Sequence, residues 1–149
     1  MKFTGFEVFD DTIQRTNTWL KDLMQELNWS DRRKTYVVFR CVLHALRDHP
    51  SVRDAVYVGE QLPMLIRGAY YEHWDPSGKP FPLRSREEFF SGLAGSLARD
   101  GENAASAETV TRAVFRLLDR KATEGEIADL QAILPPAVTD LWPAALRAA

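Results

Sequence analysis

The sequence predicts an all-α fold: two tandem repeats of about four helices each, packed as a pseudo-twofold helical bundle sharing one core. Three observations carry that expectation. Apolar residues recur at the 3.6-residue helical period, and no useful length alternates with the period of two that strands need. Val38-Phe39-Arg40 followed by Leu62-Pro63 reads again as Val114-Phe115-Arg116 followed by Leu134-Pro135, the first match 76 positions on and the second 72. Between the copies lies Trp74-Asp75-Pro76-Ser77-Gly78-Lys79-Pro80-Phe81-Pro82-Leu83, whose prolines and glycine resist regular structure. The expected boundaries are a first repeat over 1–74, a proline-rich linker over 75–84 and a second repeat over 85–149, together one domain.

The first helix is expected from Asp10-Asp11-Thr12-Ile13-Gln14, with Asp11 and Gln14 at capping-box spacing, to about Asn28. Phe9, Ile13, Leu20, Leu23 and Leu27 form its apolar stripe. Ser30 or Asp31 caps a second helix running to about Asp48. Val38, Phe39, Val42, Leu43 and Leu46 cover a broad arc of it, with Val37, Cys41 and His44 opposite. A helix apolar nearly all round belongs at the centre of a bundle.

His49-Pro50 stops that helix. Ser51 then opens a third, with Asp54 three residues on and Val52, Ala55, Val56 and Leu62 as its stripe. Pro63 suits a first helical turn, so a fourth helix is expected from Pro63 to Tyr71. The second copy follows the same plan. Ser85 with Glu88 starts a helix through Phe89, Phe90, Leu93 and Leu97, and Asp100-Gly101-Glu102-Asn103 turns the chain. Ala107 to Lys121 is the next helix, Thr123 with Glu126 caps another, and Pro135-Pro136 opens a last one carrying Val138, Leu141 and Trp142.

The bulk properties limit function more than they assign it. With 45% apolar and 27% charged residues among 149, the chain has an ordinary globular balance and a length that buries a sizeable core. A net charge of −2 gives no general attraction for nucleic acid or anionic membrane. The lone Cys41 cannot form an internal disulfide, which fits a reducing compartment, and no run has the length of a signal peptide core or a membrane span. A cytoplasmic protein is expected.

The segment Gln61-Leu62-Pro63-Met64-Leu65-Ile66-Arg67-Gly68-Ala69-Tyr70-Tyr71-Glu72-His73-Trp74-Asp75-Pro76 resembles the central motif of a bacterial family, domain of unknown function 2267. Arg86-Glu87-Glu88-Phe89, Ala113-Val114-Phe115-Arg116, Leu134-Pro135 and Leu141-Trp142-Pro143 extend the resemblance in order along almost the whole chain. It implies a duplicated all-helical bacterial protein and points to no particular reaction or cofactor. One departure is His73, where the family pattern has glycine before the tryptophan, so His73 is a poor candidate for a shared catalytic role.

Arg67, Tyr70, Tyr71 and Trp74 gather a cation, two phenols and an indole at a helix end. Such groups anchor interfaces, because they bury large areas and keep a polar handle. Their plain structural role would be to pin the crossover loop, with Arg67 paired to Glu60 or Glu72. Arg40 and Arg116 occupy matching places in the copies. They could face one another or line one anion-binding groove, or each could cap carbonyls or pair with a local carboxylate.

Cys41 and His44 make only a two-ligand fragment on one helical face. No histidine pair has metal-binding spacing, so no metal, cofactor or Cys–His catalysis is expected. Asp31-Arg32-Arg33-Lys34 is a short basic run read as a solvated turn rather than a nucleic-acid contact. The sequence therefore reads as a non-catalytic protein-interaction or adaptor module, with an unknown protein partner or self-association, and with neither nucleic acid nor membrane as partner. The rival is a small-anion-binding protein or enzyme with a pocket between the repeats, walled by Tyr70, Tyr71 and Trp74 and armed with Arg40, Arg67 and Arg116.

Overall fold

Eight helices and no strand make up the described residues of the computed structural model, which are 4–78, 82–102 and 104–143. They are α1 (Glu7–Leu27), α2 (Arg32–Arg47), α3 (Val52–Glu60), α4 (Met64–Tyr71), α5 (Arg86–Arg99), α6 (Ala107–Lys121), α7 (Glu124–Ile133) and α8 (Pro136–Thr139). No helix among the described residues is long and apolar enough to cross a membrane.

Side-chain caps set most of the starts. Asp31, Ser51, Ser85 and Ser106 each accept a hydrogen bond from the backbone N–H three residues on, and Thr123 with Glu126 completes a reciprocal capping box. The first helix differs from its expected start. It begins at Glu7 without a side-chain cap, which leaves Asp11 inside the helix, where no cap is needed. Asp10 reaches backward instead, and its Oδ1 accepts from both Thr4 N–H (2.9 Å) and Thr4 Oγ1 (2.8 Å). At the other end Asn28 takes a left-handed conformation (φ 57°), and backbone N–H groups close onto Met24 and Gln25. The last helix is also shorter than expected, because Leu141 and Trp142 lie in turns beyond it although both are buried. The expected turn at Asp100 and Gly101 is present, and Asn103 lies outside the described residues, as do linker residues 79–81.

α2 sits at the centre and packs against α1, α3, α4, α5 and α6. Val38, Phe39, Val42 and Leu43 are buried on its broad face, and Cys41 and Leu46 with them. α1 packs on α6, and α5 packs on α2, so each half of the chain lies against the other over whole helices. Phe39 stacks on Trp19 at 6.4 Å, and Phe115 on Trp142 at 5.0 Å. Thr35 and Thr111 are fully buried, and each hydroxyl donates to the carbonyl four residues back, at 2.8 and 2.7 Å. Two stripes read from the sequence are only partly covered. In α3 the buried side chains are Ala55 and Val58, joined by Leu62, whereas Val52 and Val56 are exposed; in α1, Leu20, Leu23 and Leu27 are buried but Phe9 is not.

Because α1 and α6, like α2 and α5, cover each other's apolar faces, neither half can bury its stripes alone. Fragments 1–74 and 75–149 are expected to be largely unfolded separately and to regain helical circular dichroism when mixed. A fully helical, cooperatively melting single fragment would contradict this packing.

Candidate functional site

The Arg67–Trp74 cluster is built where α3 turns into α4. Pro63 precedes the first turn of α4, and Arg67 points back at the end of α3. Its Nε donates to Gly59 O (3.0 Å) and its Nη2 to Leu62 O (3.0 Å), so the guanidinium holds carbonyls at the end of α3 rather than pairing with Glu60 or Glu72. Tyr70 is fully buried, and its hydroxyl donates to Ala55 O at 2.7 Å. Burial pushes that phenol well above its ordinary pKa, so it stays neutral. Tyr71 meets Tyr70 edge-on at 5.0 Å and donates a longer bond to Val56 O (3.4 Å). Its ring occupies space left by Gly59, where a Cβ would collide with the phenol. Trp74 leans on Tyr71 at 5.5 Å, and its Nε1 is buried without a hydrogen-bond partner among the described residues. Tyr70, Tyr71 and Trp74 touch in that order, and with Arg67 they staple α3, α4 and the loop that follows.

The far end of α4 is held by two α2 residues that sequence reasoning did not assign to it. His44 Nε2 donates to Ala69 O (2.7 Å), while buried Arg47 donates from Nη1 to Tyr70 O (2.6 Å) and Glu72 O (2.8 Å). Arg47 Nε also meets Asp48 at 3.3 Å. Burial lowers the pKa of His44; the bond to Ala69 opposes this, and the Arg47 and Arg40 charges add to it. Arginine and histidine in the last turn of a helix ordinarily signal capping of that helix's own carbonyls. Here they serve a neighbour, which spacing along one helix does not reveal.

Arg40 and Arg116 each have a partner far along the chain, not a local one. Arg40 Nη2 pairs with Asp100 at the end of α5 (3.1 Å), with Glu72 at 4.0 Å and the Tyr36 ring at 5.5 Å. Arg116 Nε pairs with Glu26 at the end of α1 (2.8 Å) and its Nη2 reaches Glu26 O (3.2 Å). Arg120 and Lys121 join the α1 carboxylates, Arg120 at Glu26 (3.0 Å) and Lys121 at Asp22 (2.5 Å). Burial alone would raise the Asp100 carboxyl; hydrogen bonds from Cys41 and Arg40 prevail and hold it below its usual value. The Cys41 thiol donates to Asp100 at 3.3 Å, and burial followed by that carboxylate pushes its pKa up to about 12. A thiol so strongly protonated is not a nucleophile at neutral pH. Among the described residues no group of three or more His, Cys, Asp or Glu could hold a metal ion.

Residues 16–141 match the family described as an uncharacterized conserved protein, DUF2267. The chain belongs to that family. No curated protein matches it. The DUF2267 central motif now has a physical reading: Leu62 and Ile66 enter the core, Arg67 caps α3, Tyr70 bonds it from inside, and Trp74 closes over Tyr71. His73 adopts φ 60°, a conformation that suits glycine, the residue expected there from the family pattern.

Two kinds of surface remain. Where α2, α3, α6 and α7 meet, the space bounded by Leu46, Val58, Leu118, Leu130 and Trp142 is about 10 Å³, no more than one water occupies. An open groove of about 340 Å³ lies between α2 and α5, lined by His44, Asp48, His49, Glu88 and Phe89 among others, but by no arginine and no member of the Tyr70–Trp74 wall. The other surface was missed from the sequence, because Phe9 read as core. Among the described residues, Phe6 (54% exposed), Val8 (49%), Phe9 (49%), Met64 (50%) and Leu65 (51%) are the large apolar side chains most open to solvent. Phe6, Val8 and Met64 border a hollow of about 420 Å³ together with Glu7, Asp11, Thr12 and Arg15.

Two outcomes test this geometry. In His44→Gln the amide can still donate to Ala69 O but does not titrate. The depressed folded-state pKa of His44 means the unfolded chain takes its proton first; stability is full above the ordinary value of 6.5 and declines as pH falls below it. Denaturant titrations should therefore give a shallower loss below that pH for His44→Gln, and a parallel loss in both proteins would refute the claim. Separately, His73→Gly relieves a left-handed backbone penalty of about 1–2 kcal/mol, offset by roughly 0.5–1 kcal/mol of extra unfolded-state freedom. The melting temperature should rise, and a fall would show that the His73 side chain makes a stabilising contact.

Proposed function

We propose that this DUF2267 protein is a non-catalytic interaction module of the bacterial cytoplasm, and that it docks partners through the apolar surface where α1 and α4 begin. The observation that carries this reading is the group Phe6, Val8, Phe9, Met64 and Leu65, about half exposed and gathered on two adjacent helix starts. Contiguous apolar surface on a folded chain marks interaction sites, because leaving it in water is unfavourable by about 25 cal/mol per Å². By contrast, the cationic and phenolic groups of the central motif are engaged in holding backbone carbonyls. The lone, buried Cys41 fits a reducing compartment.

We further infer that the chain is a duplicated unit whose copies are related by a pseudo-twofold axis. The packing favours it: α1 on α6 matches α5 on α2, and α4 on α1 matches α8 on α5. The repeated arginines agree, Arg116 holding the end of α1 and Arg40 the end of α5. Under this reading 75–84 is the connection between copies.

A photo-reactive amino acid installed in turn at Phe9, Met64 and exposed Glu87 tests the docking surface. Discrete higher-mass adducts in cells are expected from the first two positions and not from Glu87; blank lanes at Phe9 and Met64 would end the proposal. The ligand-binding alternative makes an opposite forecast, a saturable thermal shift with an anionic metabolite that Arg67→Ala abolishes.

A further inference from the structure

We infer that the groove between α1 and the end of α6 binds a small molecule bearing a carboxylate or phosphate group, held by Arg15 and Lys121. This goes beyond the docking reading and does not rest on it. The groove has a volume of about 400 Å³ and is lined by Gln14, Arg15, Thr18, Trp19, Gln61 and Lys121. Small-molecule sites span about 300–1,000 Å³, so a compact ligand fits. Gln61, at the end of α3, and Lys121, at the end of α6, bring both halves of the chain to it. Trp19 supplies an apolar wall, stacked on Phe39 at 6.4 Å and met by the Lys121 ammonium at 5.9 Å.

Charge and unused donors select the ligand. Two cations line the groove and no carboxylate does. Arg15 forms no hydrogen bond or ion pair with another described residue, including Asp11 one turn earlier, so its N–H fork is open to a ligand. Lys121 is paired with Asp22, but cations are in excess along that seam: Arg116, Arg120 and Lys121 share only Asp22 and Glu26. Gln61 spends one amide hydrogen on Tyr57 O (3.2 Å) and keeps the other, whereas the Thr18 hydroxyl is taken by Gln14 O (3.1 Å). Glu126 bounds only the narrow continuation of the groove beyond Lys121, and its Oε1 accepts from Thr123 N–H. Residues 1–3, 79–81, 103 and 144–149 include no aspartate or glutamate, so they can bring no side-chain carboxylate to the groove. A free guanidinium beside an ammonium suits an oxyanion, which the planar fork grips bidentately and the point charge steadies. The apolar body of the ligand then lies against Trp19.

Thermal-shift titrations of the full chain with inorganic phosphate, pyrophosphate, acetate and citrate test this, each against sodium chloride of equal ionic strength to remove general salt effects. At least one anion is expected to raise the melting temperature saturably. A response confined to phosphate and pyrophosphate assigns a phosphate ligand, and one confined to acetate and citrate assigns a carboxylate. Arg15→Gln removes the charge without breaking an internal contact. Its melting temperature without anion should therefore match the parent, and its affinity for the responding anion should fall about tenfold or more. A shift that survives Arg15→Gln unchanged overturns the inference, and its loss in Arg67→Ala instead would seat the anion at the central motif. No saturable shift with any of the four anions overturns it as well, and leaves the docking surface at Phe9 and Met64 untouched.

Discussion

Burying α2 on nearly every side is the constraint from which most other features follow. Over its last two turns α2 has little solvent to satisfy its polar groups, so the polar side chains there end on partners outside it. Arg47 ends on carbonyls of Tyr70 and Glu72, His44 on Ala69, Arg40 on Asp100, and Cys41 on the same carboxylate. These contacts join α2 to both the last turn of α4 and the end of α5. The helix therefore orients its neighbours as well as filling the core between them. Removing Arg47 would leave the buried Tyr70 carbonyl without that partner, a loss of about 1–3 kcal/mol.

The same constraint explains why the central motif contains groups that look chemical. Two phenols, an arginine and an indole in sixteen residues resemble a binding wall, but α3 and α4 are short helices whose unsatisfied ends lie close together. A short helix has a large share of its carbonyls unpaired. Arg67 covers Gly59 and Leu62 at the junction, while Tyr70 and Tyr71 add bonds to the Ala55 and Val56 carbonyls inside α3, so side chains of α4 tie it to the backbone of α3. Gly59 belongs to this arrangement because only a residue without a Cβ lets the Tyr71 ring come so close.

Local signals in the sequence reached the helix inventory and most boundaries. Asp31, Ser51, Ser85, Thr123 and Glu126 act as caps because a side-chain oxygen two or three residues from a free N–H needs no tertiary help. α6 runs from Ala107 to Lys121 as its periodicity indicates. Tertiary contacts were the illegible part. Glu26 and Arg116 are 90 residues apart, and nothing local says that a carboxylate in one helix waits for a cation in another. The start of α1 was misread for a related reason: Asp10 and Asp11 look like caps, yet Asp10 serves the turn at Thr4 instead.

The apolar surface at Phe6 and Phe9 was hidden by the very rule that found the helices. A stripe of period 3.6 identifies which face of a helix is apolar but not what covers each turn of that face. In α1 the cover differs along its length: Leu20, Leu23 and Leu27 are buried, Ile13 is half-buried, and Phe9 is open. Phe9 thus continues a core stripe past the point where the core ends. A large aromatic kept in register with the core, exposed and then braced by Phe6, is ill-suited to solvent. The bonds from Thr4 to Asp10 set the turn that places Phe6 against Phe9. Such a surface fits a binding partner that supplies the missing layer of the bundle.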